Sequence, residues 1–155
     1  MIYIAHRGLF QGPDHNKENH PDQIKEALKK GYHVEIDVRY IDKKLILGHD
    51  EPQYEVKESF LQERKMWIHC KNLEAMYYFS THTYMLYNFF WHENDQYTLT
   101  SKKYIWTFPG KELTAMSIMV MPEHIDDTLH NTIEVKCYGI CSDFLETIRQ
   151  LRNDK

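Results

Sequence analysis

Val34-Glu35-Ile36-Asp37-Val38-Arg39 alternates β-branched apolar residues with charged ones, the period-two signature of a strand whose faces meet different surroundings. Val34, Ile36 and Val38 would then pack against helices, and Glu35 and Asp37 would project together from the other face. Two carboxylates so placed in a low-dielectric interior repel and are costly to desolvate. Either one takes up a proton or a cation sits between them. An isolated pair of this kind is ordinarily the wet side of an edge strand, so the neighbouring segments decide the matter.

Upstream, Ile2-Tyr3-Ile4-Ala5 reads as a short buried strand ending at His6-Arg7-Gly8. From Pro21, the spacing of Ile24, Ala27 and Leu28 marks one helical face, with Pro21 at the first helical position and Gly31 at the carboxyl-terminal cap. Downstream, a turn at Asp42-Lys43-Lys44 leads into Leu45-Ile46-Leu47-Gly48-His49. Further strands are expected over 66–70, 84–91, 97–100, 104–108, 117–121 and 138–141, with helices over 73–79 and 144–151. In the last helix Asp143 and Glu146 are spaced as a capping box, Leu145, Ile148 and Leu151 form the apolar stripe, and Arg149 and Arg152 lie near its negative end.

Strands alternating with helices point to parallel βα units in a sheet covered on both faces. The expectation is an α/β fold, a compact (β/α)8 TIM-like barrel in one domain over residues 1–155. Such a barrel typically needs about 250 residues, so several outer helices must be missing. The stretch 84–108, with three strand candidates and no room for helices, is where that loss falls.

Composition narrows the partners. A net charge of -4, from 19 Lys+Arg and 23 Asp+Glu spread along the chain, offers no basic stripe for a nucleic-acid backbone. The apolar run before His6 is too short for a signal peptide or a transmembrane segment, so the expected compartment is the cytoplasm. Cys70, Cys137 and Cys141 are odd in number and sit in apolar strand-like segments, which reads as reduced, buried thiols. The spacing of Cys137 and Cys141 is not CxxC, and no second pair completes a metal site.

His6-Arg7 follows one buried strand and His49-Asp50 another apolar run, which places both imidazoles at strand ends, where sites of parallel α/β folds are assembled. Each histidine alone is an ordinary residue. Two of them flanking an acidic pair supply what phosphodiester cleavage requires: a base, an acid and a cation on the phosphoryl oxygens. Glu18 and Asn19, in the loop before the first helix, and His92-Glu93 and Glu123, after apolar runs, are second-rank candidates. The aromatic middle, including Tyr84, Tyr87, Phe89, Phe90, Trp91, Tyr97, Tyr104, Trp106 and Phe108, reads first as core packing and second as a stacking platform for an alcohol. An outer face bare of helices would favour a homodimer.

The run Ile4-Ala5-His6-Arg7-Gly8, then Glu18-Asn19, a helix closed by Gly31, Glu35-Ile36-Asp37-Val38 and Gly48-His49-Asp50 resembles the glycerophosphodiester phosphodiesterase family in order and spacing. The similarity continues at Ile68-His69-Cys70-Lys71-Asn72, returns at Tyr138-Gly139-Ile140-Cys141-Ser142-Asp143, and is poor in the middle. It implies a metal-dependent phosphodiester hydrolase of lipid metabolism acting on a small glycerophosphodiester-like substrate. His6 and His49 would be acid and base, Arg7 and Lys71 would hold the phosphate, and Glu35 and Asp37 would bind the metal. His69 stands where the family usually has glutamate. As a ligand in its place, imidazole extends the expected divalent ions from magnesium, calcium or manganese to zinc. The alternatives are a barrel that has lost catalysis and serves as a binding or scaffold protein, a lyase that stops at the cyclic phosphate, and an enzyme acting on another phosphorylated compound.

Overall fold

The computed structural model describes residues 1–82 and 86–153. The chain runs through β1 (Ile2–Ala5), α1 (Pro21–Lys29), β2 (His33–Ile41), β3 (Lys44–Leu47), β4 (Tyr54–Val56), α2 (Glu58–Leu61), β5 (Met66–Cys70), α3 (Leu73–His82) and β6 (Asn88–Phe90). It continues through β7 (Tyr97–Leu99), β8 (Ile105–Thr107), β9 (Ser117–Val120), β10 (Gly139–Ser142) and α4 (Leu145–Asn153). Tyr84, where one strand was expected to begin, lies outside the described residues.

The ten strands form one mixed sheet. Parallel ladders run β6-β5-β2-β1-β10-β9-β8, while β3, β4 and β7 join antiparallel. Four α-helices cover part of it among the described residues. This is a curled half-barrel and not the expected (β/α)8 barrel with some helices missing. Two physical reasons stand out. Connections such as residues 108–116, between β8 and β9, are shorter than the dozen or more residues a helical crossover needs. At the open side, Ser101 bridges to β6 by its backbone N–H to the Phe89 carbonyl at 2.8 Å and by its hydroxyl, which accepts from the Phe89 N–H at 3.0 Å. No ladder joins β6 to β7 or β8 among the described residues.

The strand alternation sorts side chains as expected for β2. Val34, Ile36 and Val38 join the larger core beneath the helices with Ile68, Cys70, Ile24 and Ala27. The concave side holds a second core of Ile4, Trp67, Phe90, Trp106, Ile118 and Cys141. Most of the aromatic middle is thus packing. Helix α1 begins as anticipated at Pro21, with the His20 ring accepting from the Asp22 N–H at 3.2 Å, and Gly31 takes φ 92 just past its end. Helix α4 begins otherwise. Ser142 Oγ accepts from the Phe144 N–H at 2.9 Å, and the carboxylate of Asp143 is drawn away to His6, so the Asp143-Glu146 capping box does not form. All three cysteines are unpaired, Cys70 and Cys141 buried and Cys137 half-buried. No described helix is long and apolar enough to cross a membrane.

Candidate functional site

The carboxyl ends of the parallel strands open into a cavity of about 580 Å³ lined by His6, Arg7, Glu35, Asp37, His49, His69 and Lys71, all seven anticipated side chains. The register explains how β2 and β5 contribute. Glu35 pairs with Trp67 and Asp37 with His69, so the concave faces of neighbouring strands set imidazole beside carboxylate.

Asp37 is 1% exposed and Glu35 2%. Asp37 Oδ1 lies 3.1 Å from His69 Nδ1 and 3.8 Å from Lys71 Nζ, and its Oδ2 lies 3.5 Å from Arg7 Nε. Burial opposes ionisation of Asp37, but His69, Arg7 and Lys71 outweigh it and hold the carboxyl well below the usual range. Glu35 goes the other way. Burial and the charge of Asp37 raise it, against weaker opposition from His6, His69 and Arg7. One member of the pair is thus firmly ionised and the other reluctant.

The fit to a divalent cation rests on the donors themselves. One ligand atom from each of Glu35, Asp37 and His69 lies within 4.8 Å of the others, and all three residues are buried. Asp37 Oδ1 has no aligned hydrogen-bond partner, an unsatisfied acceptor of the kind that native interiors rarely leave. His69 Nε2 lies 3.4 Å from the His92 carbonyl oxygen. Ligation through Nδ1 with Nε2–H directed at a carbonyl is the usual arrangement of a metal-bound histidine. The His69 ring stacks on both Phe90 and His92, with centroids at 5.1 and 4.6 Å and planes within 8°, and those two rings lie 6.0 Å from each other. His92 itself is pushed down to about 4, by burial first and by His69 and Lys71 next, which makes it a neutral packing face.

The loop before α1 braces this group. Arg7 adopts φ 52, ψ 24, a left-handed conformation that costs an ordinary residue roughly 1–2 kcal/mol. Its backbone N–H donates to Glu35 Oε2 at 3.0 Å, and its carbonyl accepts from the Asn19 N–H at 2.9 Å. Asn19, fully buried at φ 57, donates through Nδ2 to Asp37 Oδ2 and accepts from the Asp37 N–H, both at 2.9 Å. Glu18 Oε2 takes Arg7 Nη1 at 2.6 Å. Both second-rank residues of this loop therefore orient the site.

The two histidines differ. His6 Nδ1 lies 2.9 Å from Asp143 Oδ1. Burial disfavours its cation, but the bond to Asp143 and the charges of Glu35 and Asp143 prevail, so its pKa is raised. His49 is lowered, by burial above all, with Arg7 and Lys71 adding to it against Asp37 and Asp50. Its backbone is pinned from below: the Arg39 guanidinium donates to the carbonyls of Gly48, His49 and Asp50. Gly48 has φ 147, and a β-carbon there would fall 2.0 Å from the Glu51 carbonyl oxygen, so the turn presenting His49 requires glycine.

Asp143 is the residue that sequence reading missed, because its spacing to Glu146 resembled a helix cap. Its place just past the end of β10 was the available signal. Glu123 supports it by accepting from the Asp143 N–H at 3.0 Å and from Ser142 Oγ at 2.9 Å. Glu93 lines the rim without touching the buried groups, while His15 and His124 line the cavity unanticipated. Cys137 and Cys141 take no part in a ligand group among the described residues. In comparisons with known proteins, the chain matches no family model, no curated protein and no solved structure.

Proposed function

We propose that this chain is a metal-dependent phosphodiesterase that cleaves a small glycerophosphodiester-like substrate. One observation carries the reading. His6 and His49 face one cavity together with Arg7, Lys71 and the buried carboxylates Glu35 and Asp37, and their surroundings press His6 up and His49 down. Environments that drive two titratable groups apart assign acid and base. His6, whose protonated form its Asp143 partner favours, is the acid that delivers a proton to the departing alcohol oxygen. His49, whose neutral form burial favours, is the base that takes the proton of the attacking hydroxyl. Arg7 and Lys71 bind the phosphate oxygens. Glu35, Asp37 and His69 would hold a divalent ion, whose chemistry when bound is to polarise the phosphoryl group.

The resemblance of the His6-Arg7, Glu35-Asp37 and Gly48-His49-Asp50 segments to glycerophosphodiester phosphodiesterases supports the same reading. A cytoplasmic setting accords with three unpaired cysteines. The test is turnover of generic and glycerol-based phosphodiesters with magnesium, calcium, manganese or zinc, beside His6→Ala and His49→Ala. Phosphorus NMR distinguishes a monoester from a cyclic product. Loss of either group is expected to cost about 10²–10⁴-fold. Turnover equal in all three proteins would reject the assignment.

A further inference from the structure

The cavity has two unlike halves. Most of its ionisable groups gather on or after β1, β2, β3 and β5, with His92, Glu93 and Asp95 after β6 and Asp143 after β10. The wall from β8 and β9 and the residues that follow presents Trp106, Phe108, Pro109, Val120 and Met121, with Thr98 of β7 beside Trp106 and His124 at the end of the run. Across Phe108, Pro109, Val120 and Met121 an alcohol meets carbon surface, which suits a hydrocarbon chain better than a row of hydroxyls. The wall is also preformed. Trp106 is buried and its ring rests on Phe90 at 4.6 Å and Trp67 at 6.1 Å, so little ordering remains to be done when a ligand arrives.

The apolar surface does not stop at the main cavity. A side cavity of about 200 Å³ shares Phe108, Pro109 and Val120 with it and runs on past Leu113 and Ile125, with Thr107, Lys111 and Asn131 also in its lining. Phe108 and Ile125 are 51% and 59% exposed, so the apolar track leads from the buried phosphate site out to the rim. A ligand filling it is charged at one end and hydrocarbon along the other. The main cavity, about 580 Å³, is in the size range that takes a drug-sized molecule, on the order of 300–1,000 Å³.

We propose that the pocket accepts a single-chain amphiphilic phosphodiester, with one ester alcohol carrying a hydrocarbon chain laid along Trp106, Val120 and Phe108. The proposal rests on the phosphodiesterase reading for the reacting group, while the apolar wall supplies the substrate class. Chain length is read in two ways. The first is kcat/KM on glycerol phosphate esters of methanol, butanol, hexanol and octanol below their micelle concentrations. The second is the calorimetric affinity of methyl, butyl and octyl phosphate monoesters.

Rate and affinity are both expected to rise about four-fold per added methylene over the first few carbons. Phe108→Ala is expected to lower the octyl-to-methyl ratio several-fold, and Leu73→Ser, at the exposed first residue of α3, to leave that ratio unchanged. Affinity that is flat or falls with chain length overturns the proposal, whatever the catalysis. Affinity that rises while no diester is cleaved rejects the phosphodiesterase reading and leaves the apolar track standing. His6-dependent cleavage whose rate is indifferent to chain length rejects the amphiphile alone.

Discussion

Replacing Asp37 by asparagine removes one charge from the buried pair with almost no change in shape. The amide oxygen can still accept from Asn19 Nδ2, where Asp37 Oδ2 now lies at 2.9 Å, and the backbone N–H keeps its bond to Asn19 Oδ1. The variant is therefore expected to fold. Its loss is the ligand charge closest to His69, Arg7 and Lys71. With a divalent ion at a hundred times its dissociation constant, the wild type gains about 2.7 kcal/mol. For a chain of this length that corresponds to a rise in Tm of roughly 5–11 °C. If Asp37→Asn weakens affinity about a hundred-fold, the gain at the same concentration falls to about 0.4 kcal/mol, a shift of under about 2 °C. Differential scanning calorimetry with and without each ion reads both values. A variant that keeps the full metal-induced shift would refute the placement of the ion on Asp37. The pH dependence adds a check on Glu35. Its pKa is raised from 4.5 by burial and by Asp37, so a proton competes with the metal as pH falls through that raised value. The shift in Tm is expected to shrink on acidification at a pH above the ordinary glutamate range.

Placing an acid at this position with His69→Glu is expected to move ion preference from zinc toward magnesium and calcium, because oxygen ligands suit the harder ions; competition titrations of the two proteins measure this. Asp143→Asn leaves burial as the dominant influence on His6, whose pKa should drop from its raised value to below the ordinary 6.5. An NMR titration of the ring detects it, and an unmoved midpoint would contradict the role given to Asp143. The sign carries over to stability. His6 with a raised pKa stabilises the fold fully below its unfolded value and loses that contribution as pH rises through the folded one, a slope whose sign Asp143→Asn should reverse. Gly48→Ala forces a β-carbon against the Glu51 carbonyl and should destabilise the fold by roughly 1–3 kcal/mol in urea titrations while displacing His49.

Much of the site was legible because it is written in local periods. The alternation from Val34 to Arg39 follows from the pleat of a strand, and it sends Glu35 and Asp37 to the side opposite Val34, Ile36 and Val38 wherever that strand lies. His6 and His49 were found by their position after apolar runs, and Glu18 and Asn19 by the loop they occupy. Asp143 was mistaken for a cap because the local signal is the same whether its carboxylate meets an amide of α4 or a ring 137 residues away. Glu123 stayed second-rank for a related reason, since its partners are Ser142 and the Asp143 N–H on another strand.

The sequence by itself determined which residues of β2 face the helices and which face away, where α1 begins and ends, and which groups have the chemistry to hold a cation and a phosphate. These follow from backbone sterics and side-chain type within a few residues. Only the tertiary structure decided that the sheet curls into an open half-barrel, that β3, β4 and β7 join it antiparallel, and that His6 and His49 acquire opposite proton affinities. Strand order and desolvation depend on segments far apart in the chain, and a pKa is set by whatever charge and packing those segments bring within a few ångströms.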